Sequence, residues 1–424
     1  MSSPSPQNAG STLHAPVEPG RAALSAWRNA LFVIFALCGV GLASWAARIP
    51  AVSVALDIDT AQVGVLLFGI AAGSIIGLIA SGHLVANFGA RRVILVTLLI
   101  APVGLVLAAM GVTIFDSFAV AVAGLVVFGA SSGICDVAMN VSGAANERAL
   151  GRTIMPIYHA FFSAGTIIGA ALGAVAEWLK VPLEIHLGVL AVLIVIVVIW
   201  VVRFLQPEGG GTDHAVTPEG TDNWRGRLAI WRDPRTLLIG LIVLGMAFTE
   251  GSANDWLSYA MVHGHDTDAT TGAVVFGVFV TAMTVGRLSG VKLLDRYGRV
   301  PVLRASAALA ALGLLMLIFV PIVWVAVIGV VFWGLGASLG FPVGMSAAAD
   351  DPRKAAARVS AVATIGYVAF LVGPPVIGFL GNHFGILHGL LLVLVLVALA
   401  GIVSYAAREP QATRPVEQPT TQLE

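Results

Sequence analysis

Twelve runs of apolar residues, each near the roughly 20 needed to cross a ~30 Å hydrocarbon core as a helix, sharply limit what this chain can fold into. They fall at 28–48, 61–82, 93–113, 117–142, 154–176, 185–204, 236–258, 270–291, 301–320, 322–346, 358–380 and 387–407. In hydrocarbon every backbone N–H and C=O must be paired within its own segment, so runs of this length are helices. The expected class is an all-α integral membrane protein. Hydrophobic residues make up 58% of the 424 positions and charged residues 11%, whereas soluble domains are about a quarter charged. The formal net charge is zero, so nothing draws the chain to nucleic acid.

Lys and Arg are retained in cytoplasmic loops. With the N-terminus inside, that side receives Arg91 and Arg92, Arg148 and Arg152, Arg225 to Arg235, Lys292 to Arg304, and Arg353 to Arg358, while the other side keeps Lys180 and, at a helix end, Arg48. A multi-pass protein of the inner (plasma) membrane with both termini cytoplasmic is expected. One long hydrophilic interior segment, 205–234, splits the runs six and six. The expected divisions are a flexible tail 1–27, a six-helix bundle 28–204, a cytoplasmic linker 205–234, a second bundle 235–408 and a tail 409–424. The first residues lack a basic region leading into a short apolar stretch, which argues against a signal peptide. In the linker, Trp224, Arg225, Arg227, Trp231 and Arg232 read either as an amphipathic piece on the inner leaflet or as a basic loop. Cys38 and Cys135 lie inside apolar runs, which argues against a disulfide framework and against a metal site built on thiolates.

The two halves repeat. Gln62–Gly69 matches Thr271–Gly277, and Gly89 matches Gly298, roughly two hundred residues apart; parallel six-helix repeats are one transporter plan. After the second run comes Gly82-His-Leu84-Val-Ala86-Asn87-Phe-Gly89-Ala-Arg91-Arg92, and after the eighth Gly290-Val-Lys-Leu-Leu-Asp295-Arg296-Tyr297-Gly298-Arg299. These turns resemble motif A of the major facilitator superfamily. The second copy keeps Asp295, Arg296, Gly298 and Arg299; the first keeps Gly82, Gly89 and Arg91 but has Ala86 in place of the acid. The resemblance implies twelve helices in two bundles, with these loops as unequal inner latches. Asp136-Val-Ala-Met-Asn140, followed by Gly151-Arg-Thr-Ile-Met-Pro156 and His159-Ala-Phe-Phe-Ser163, is similar to a bacterial branch of rhizopine permease-like proteins, itself distantly similar to fucose permease.

Ionisable and amide residues inside spans are costly and mark pathways or internal pairs. Placed by a 1.5 Å rise, Asp136 and His159 fall at a similar depth, ~10 and ~8 Å, with Asn140 one turn from Asp136. An Asp136, Asn140 and His159 cluster is expected, either for proton coupling or as a brace between helices. Glu250 and Asn254 share one face of the seventh run and are expected in the same cavity. Arg48 with Glu250 or Asp255 is expected to close the outside, although a solvated helix end also fits Asp255. Trp45 and Trp256 are the candidate cavity aromatics; Tyr158, Tyr367 and Trp333 read as structural. Arg287 reads as pairing with the cytoplasmic surroundings. Gly69, Gly73 and Gly77, Gly165, Gly169 and Gly173, and Gly286 and Gly290 form small-residue stripes that serve packing; in the family fold three such stripes would face the seam where the bundles slide.

No Walker-type loop, metal-spaced His cluster or Gly-x-Ser-x-Gly elbow is present in the sequence, so no cofactor, metal or enzymatic chemistry is expected. The fitting function is a secondary transporter, acting as a monomer among membrane lipids, that moves a small polar organic solute, sugar- or cyclitol-like, with protons. Efflux of amphipathic drugs or metabolites competes with it. A transporter-derived sensor or scaffold, and a membrane enzyme on lipid-linked substrates, are readings from other classes.

Overall fold

The computed structural model of the chain describes residues 20–152, 154–206, 230–351 and 354–409. Among them are no strands and twelve helices long and apolar enough to span a membrane. These are α1 (Arg21–Ala46), α2 (Thr60–Phe88), α3 (Ala90–Thr113), α4 (Phe118–Leu150), α5 (Met155–Trp178), α6 (Leu183–Phe204), α7 (Pro234–Gly264), α8 (Ala269–Gly290), α9 (Arg299–Phe319), α10 (Val323–Ala348), α11 (Arg358–Phe384) and α12 (Ile386–Ala407). A short helix, Ile49–Ala55, lies between α1 and α2. Trp224, Arg225, Arg227, Arg353 and Arg414, with most of both expected tails and of the linker, lie outside the described residues.

Several helices run further than hydropathy indicated, α2 to Phe88 among them. α1 starts at Arg21, inside the expected tail. α4 continues to Leu150 because the polar residues at its end have partners: the Asn146 amide donates to Leu24 O at 3.1 Å, and Tyr158 Oη donates to Asn146 Oδ1 at 2.7 Å. α7 continues to Gly264.

The repeat is visible in the backbone. The helix that contains the α8 span continues to Tyr297, so Gly89 and Gly298 both sit at φ 77° as the single residue between two helices, a left-handed conformation that costs an L side chain energy. At the opposite ends of the same two helices, Asp59 accepts from Gln62 N at 2.8 Å and Asp268 from Thr271 N at 2.7 Å, matching N-caps that satisfy orphan helix donors. Side-chain and backbone hydrogen bonds from Thr271 hold the Asp268 carboxyl below the ordinary carboxylate range.

Two apolar cores form. One gathers residues between Leu24 and Leu205; the other is built mainly between Ile239 and Ala407 and takes in Ala46, Val63 and Ala170 from the first half. The glycine stripes pack inside the halves, not across the seam. A Cβ on Gly69 would meet Val122 O of α4 at 3.3 Å, the stripe from Gly165 lies on α1 near Ala36 and Val40, and Gly286 lies on Ser338. The expectation of sliding stripes is therefore corrected: these glycines allow close backbone approach within a bundle.

The seam uses Gly64 instead, where a Cβ would stand 2.7 Å from Pro374 O and 3.1 Å from Pro375 Cα. Around it, Ser258 Oγ donates to Ala46 O at 2.9 Å, Thr60 Oγ1 and Tyr259 Oη are 3.0 Å apart, and Ser53 Oγ and His263 Nε2 are 3.3 Å apart. Among the described residues these are the side-chain hydrogen bonds that join the two halves. All lie at the face opposite the Gly89 and Gly298 turns. The molecule is closed on one face, and the space between its halves opens on the other.

Candidate functional site

That space is a cavity of about 380 Å³ walled by α1, α2, α4, α5, α7 and α11. On α2 its lining runs from Leu67 to Leu78, from just below the Gly64 contact toward the Gly82 turn. Most lining residues are apolar; the polar ones are Ser74, Ser132, Asp136, Asn254, Asp255 and Tyr367. At the closed end a smaller chamber of about 50 Å³ is lined by Trp45, Thr166, Asn254 and Asp255 among others.

Asp136 faces the cavity from α4. Its Oδ1 accepts from Asn140 Nδ2 at 3.3 Å, and the same amide donates to the Asp136 carbonyl at 2.8 Å. The expected Asp136–Asn140 association is present; His159 is not part of it. With α4 ending at Leu150 and α5 starting at Met155, Asp136 lies ~21 Å from the near end of its helix and His159 only ~6 Å. His159 is exposed and packs edge-on to Phe35, with ring centroids 5.4 Å apart. Reading α4 as shorter than it is had placed the two at one level.

The outer-gate expectation is also corrected. Arg48, 4% exposed, pairs with Glu177 at 2.7 Å and donates to Val181 O at 3.0 Å. Both partners belong to its own half, so neither Glu250 nor Asp255 meets it. Glu250 pairs instead with Arg287 across α7 and α8 at 2.7 Å, so Arg287 has a partner inside the second half and does not reach out to cytoplasmic surroundings. That assignment leaves Asp255 with no ion pair or hydrogen bond among the described residues. It is not a solvated helix end: α7 continues to Gly264, ~14 Å further on by helical rise, and Asp255 lines the cavity with Asn254. Trp45 lines the closed-end chamber. Trp256 is fully buried and stacks edge-on to Tyr259 beside the seam, so it is not a cavity aromatic. Tyr367 is 41% exposed and lines the cavity. The thiols of Cys38 and Cys135 are 4.0 Å apart, within hydrogen-bonding reach of each other, and form no disulfide.

At the open face, Arg299 pairs with Asp350 at 2.6 Å, and Asp350 with Arg235 at 2.9 Å. Arg358 pairs with Asp233 at 2.7 Å. Burial opposes ionisation of Asp233, but hydrogen bonds from Thr236, Arg358 and the Arg235 N–H outweigh it and hold the carboxyl below its usual range. All of these are contacts within the second half. Asp295, Arg296 and Arg91 are exposed. Arg296 lies 5.3 Å over the Tyr297 ring, and Asp295 has no ion pair among the described residues. Gly82 has open space around it. Asp350, Asp233 and Glu177 carried no sequence signal, because each is defined by a partner distant in the chain.

Twelve spanning helices in two halves that meet at one face around a central cavity define a polytopic membrane protein. The Major Facilitator Superfamily description matches residues 30–367 and 253–423, and the chain belongs to that family. An uncharacterized MFS-type transporter of Yersinia pestis is 30% identical over 388 residues, covering 91% of this chain and 96% of that protein. Among solved structures, the nucleoside transporter NupG superposes with TM-score 0.69 at 16% identity, over 90% of this chain and 98% of its own. The E. coli fucose:proton symporter FucP does so with TM-score 0.62 at 17% identity, over 90% and 98%.

Proposed function

We propose that the protein is a secondary transporter for a small polar organic solute, sugar- or cyclitol-like, coupled to protons and working by alternating access in the inner membrane. The observation that carries this reading is Asp136: a carboxylate facing a central cavity closed at one end, with no cation beside it. A charge at that depth is costly unless paired, so Asp136 holds a proton while access to it changes from one face to the other and releases it where the cavity is wet. With both termini cytoplasmic, the closed face is the outer one and the conformation is open to the inside. Residues 28–204 and 235–408 then rock as two bundles about the Gly64 seam, joined by the 205–234 linker.

The outer closure combines three neutral hydrogen bonds, each contributing about 0.5–1.5 kcal/mol net, with apolar packing that brings Ala46, Val63 and Ala170 against the second half; it contains no ion pair between the halves among the described residues. The charged pairs, Arg48–Glu177 and Glu250–Arg287, stay within one half and keep each bundle rigid while the seam opens.

Proteoliposomes with an imposed pH gradient test the reading. Solute accumulation that follows the gradient and is lost in Asp136→Asn supports it; tight binding with no flux indicates a sensor or scaffold instead. The largely apolar lining favours a second reading, extrusion of amphipathic compounds, which would appear as gradient-driven export of lipophilic cations with no movement of sugars or cyclitols.

A further inference from the structure

The charges that line the cavity are unbalanced. Glu250 is neutralised by Arg287 at 2.7 Å, and neither of those residues lines the space. Among the described residues that do, the charged ones are Asp136 and Asp255, both acidic, with no Arg, Lys or His between them. Two uncompensated carboxylates in a low-dielectric cavity are costly, and the cost falls only when a proton or a cation joins each. One proton carrier accounts for one of them.

The two differ in setting. Asp136 already accepts from Asn140. Asp255 has no hydrogen bond or ion pair among the described residues. By helical rise it lies ~32 Å from the open-face end of α7, against ~21 Å for Asp136 on α4. It therefore sits deeper, where it lines both the cavity and the closed-end chamber with Asn254 and Trp45. A carboxylate, an amide and an indole about one small enclosed space form a donor and acceptor set for a compact cation. The carboxylate supplies the counter-charge and the amide oxygen a second acceptor, and the indole encloses the space.

We propose that the transported solute carries a protonated amine, and that Asp255, with Asn254 and Trp45, forms the subsite that binds its ammonium group. This rests on the transporter reading and narrows its substrate class: the polar solute is cationic, and anions of the same size are excluded by Asp136 and Asp255 together. The ammonium docks at the closed end, and the remainder of the solute lies along the apolar wall toward Tyr367.

The test is a thermal-shift comparison on the purified full chain with glucosamine, glucose and glucuronate, extended to matched amine and neutral pairs of cyclic and acyclic polyols. Amines are expected to raise the melting temperature, their neutral partners to do so far less, and the acid not at all. Asp255→Asn is expected to weaken amine binding ~10- to 100-fold, the loss of one charge-assisted contact. If that variant does not fold, the wild-type comparison of amine with neutral partner still decides the matter. Equal stabilisation by both partners, stabilisation by glucuronate, or no shift with any amine overturns the assignment. A neutral solute that accumulates with the pH gradient, equally in wild type and Asp255→Asn, would remove the amine subsite and leave the transporter intact. Absence of flux for every solute would remove the transporter reading itself.

Discussion

Two carboxylates on α7, Glu250 and Asp255, stand roughly a turn and a half apart and have opposite circumstances. Glu250 is held by Arg287 at 2.7 Å, with side-chain exposures of 17% and 32%; Asp255 lines the cavity with no partner among the described residues. The pair has settled its electrostatic cost inside one bundle, so it contributes rigidity and offers nothing to a ligand. The unpaired group retains its cost until something enters the cavity. Proximity to a central cavity is thus a poor guide to function in a membrane protein; lack of a partner is a better one.

The largest expected effect comes from breaking the pair. Arg287→Ala strands Glu250, and because both groups are partly open to water the loss is expected at or below the low end of the ~3–5 kcal/mol typical of buried pairs. Thermal unfolding in detergent measures it, and Glu250→Gln with Arg287→Gln is expected to recover much of the loss. If single and double variants melt alike, the pair is not a structural unit and the contrast with Asp255 fails.

Next is the seam. Gly64→Ala places a Cβ 2.7 Å from Pro374 O, and the ~1–3 kcal/mol of overpacking is expected to open the closed face. Spin labels on the short helix Ile49–Ala55 and on the α7 end near His263 should move apart; an unchanged distance would mean that the halves meet elsewhere.

The Asp233–Arg358 contact is smaller, within the ~0–1 kcal/mol of partly exposed pairs. Because the folded carboxyl titrates below its unfolded value, its contribution is present above the ordinary carboxylate range and fades as pH falls through the lowered value. Asp233→Asn should flatten the acid limb of the melting profile; an identical profile would contradict this. Asp255→Asn, which removes an unpaired charge and breaks no contact, is expected to leave melting unchanged or raise it, while removing amine binding. A large loss would show that Asp255 has a structural partner. Smallest is Ala86→Asp, which restores an acid in the first turn: melting should hold while transport rate or conformational preference shifts, and no change in either would make that loop a topological anchor only.

Much of the fold was legible in the residues because a bilayer imposes its own length scale: hydropathy placed all twelve spans, and glycine at 89 and 298 marked turns that need a positive φ. Where hydropathy failed, it failed at polar residues satisfied within the protein. The expected fourth segment ends at 142, short of Asn146, which is buried and doubly hydrogen-bonded, and that difference misplaces Asp136 relative to His159. Whereas the sequence placed Asp255 at an outer gate or a solvated helix end, Asp136, Asn140, Asn254 and Trp45 were recognisable as cavity candidates because polar or amphipathic residues in apolar runs are conspicuous. Their partners were not. Which carboxylate Arg48 or Arg287 meets depends on helix packing across long sequence distances, and the same holds for the face each glycine stripe presents. The matching caps at Asp59 and Asp268 were readable as the repeated start of α2 and α8, and were overlooked because the repeat was aligned on glycines.

Coupling of solute movement to protons through Asp136 is the central claim. The direct measurement is solute-driven proton flux in proteoliposomes loaded with a pH-sensitive dye, against the panel of sugars, cyclitols and their amines. The prediction is acidification of the lumen as one solute enters, abolished in Asp136→Asn and, for amines, in Asp255→Asn, but preserved in rate per folded molecule when Glu250 and Arg287 are replaced together by Gln. Solute entry without proton movement, or proton movement that survives Asp136→Asn, would contradict it.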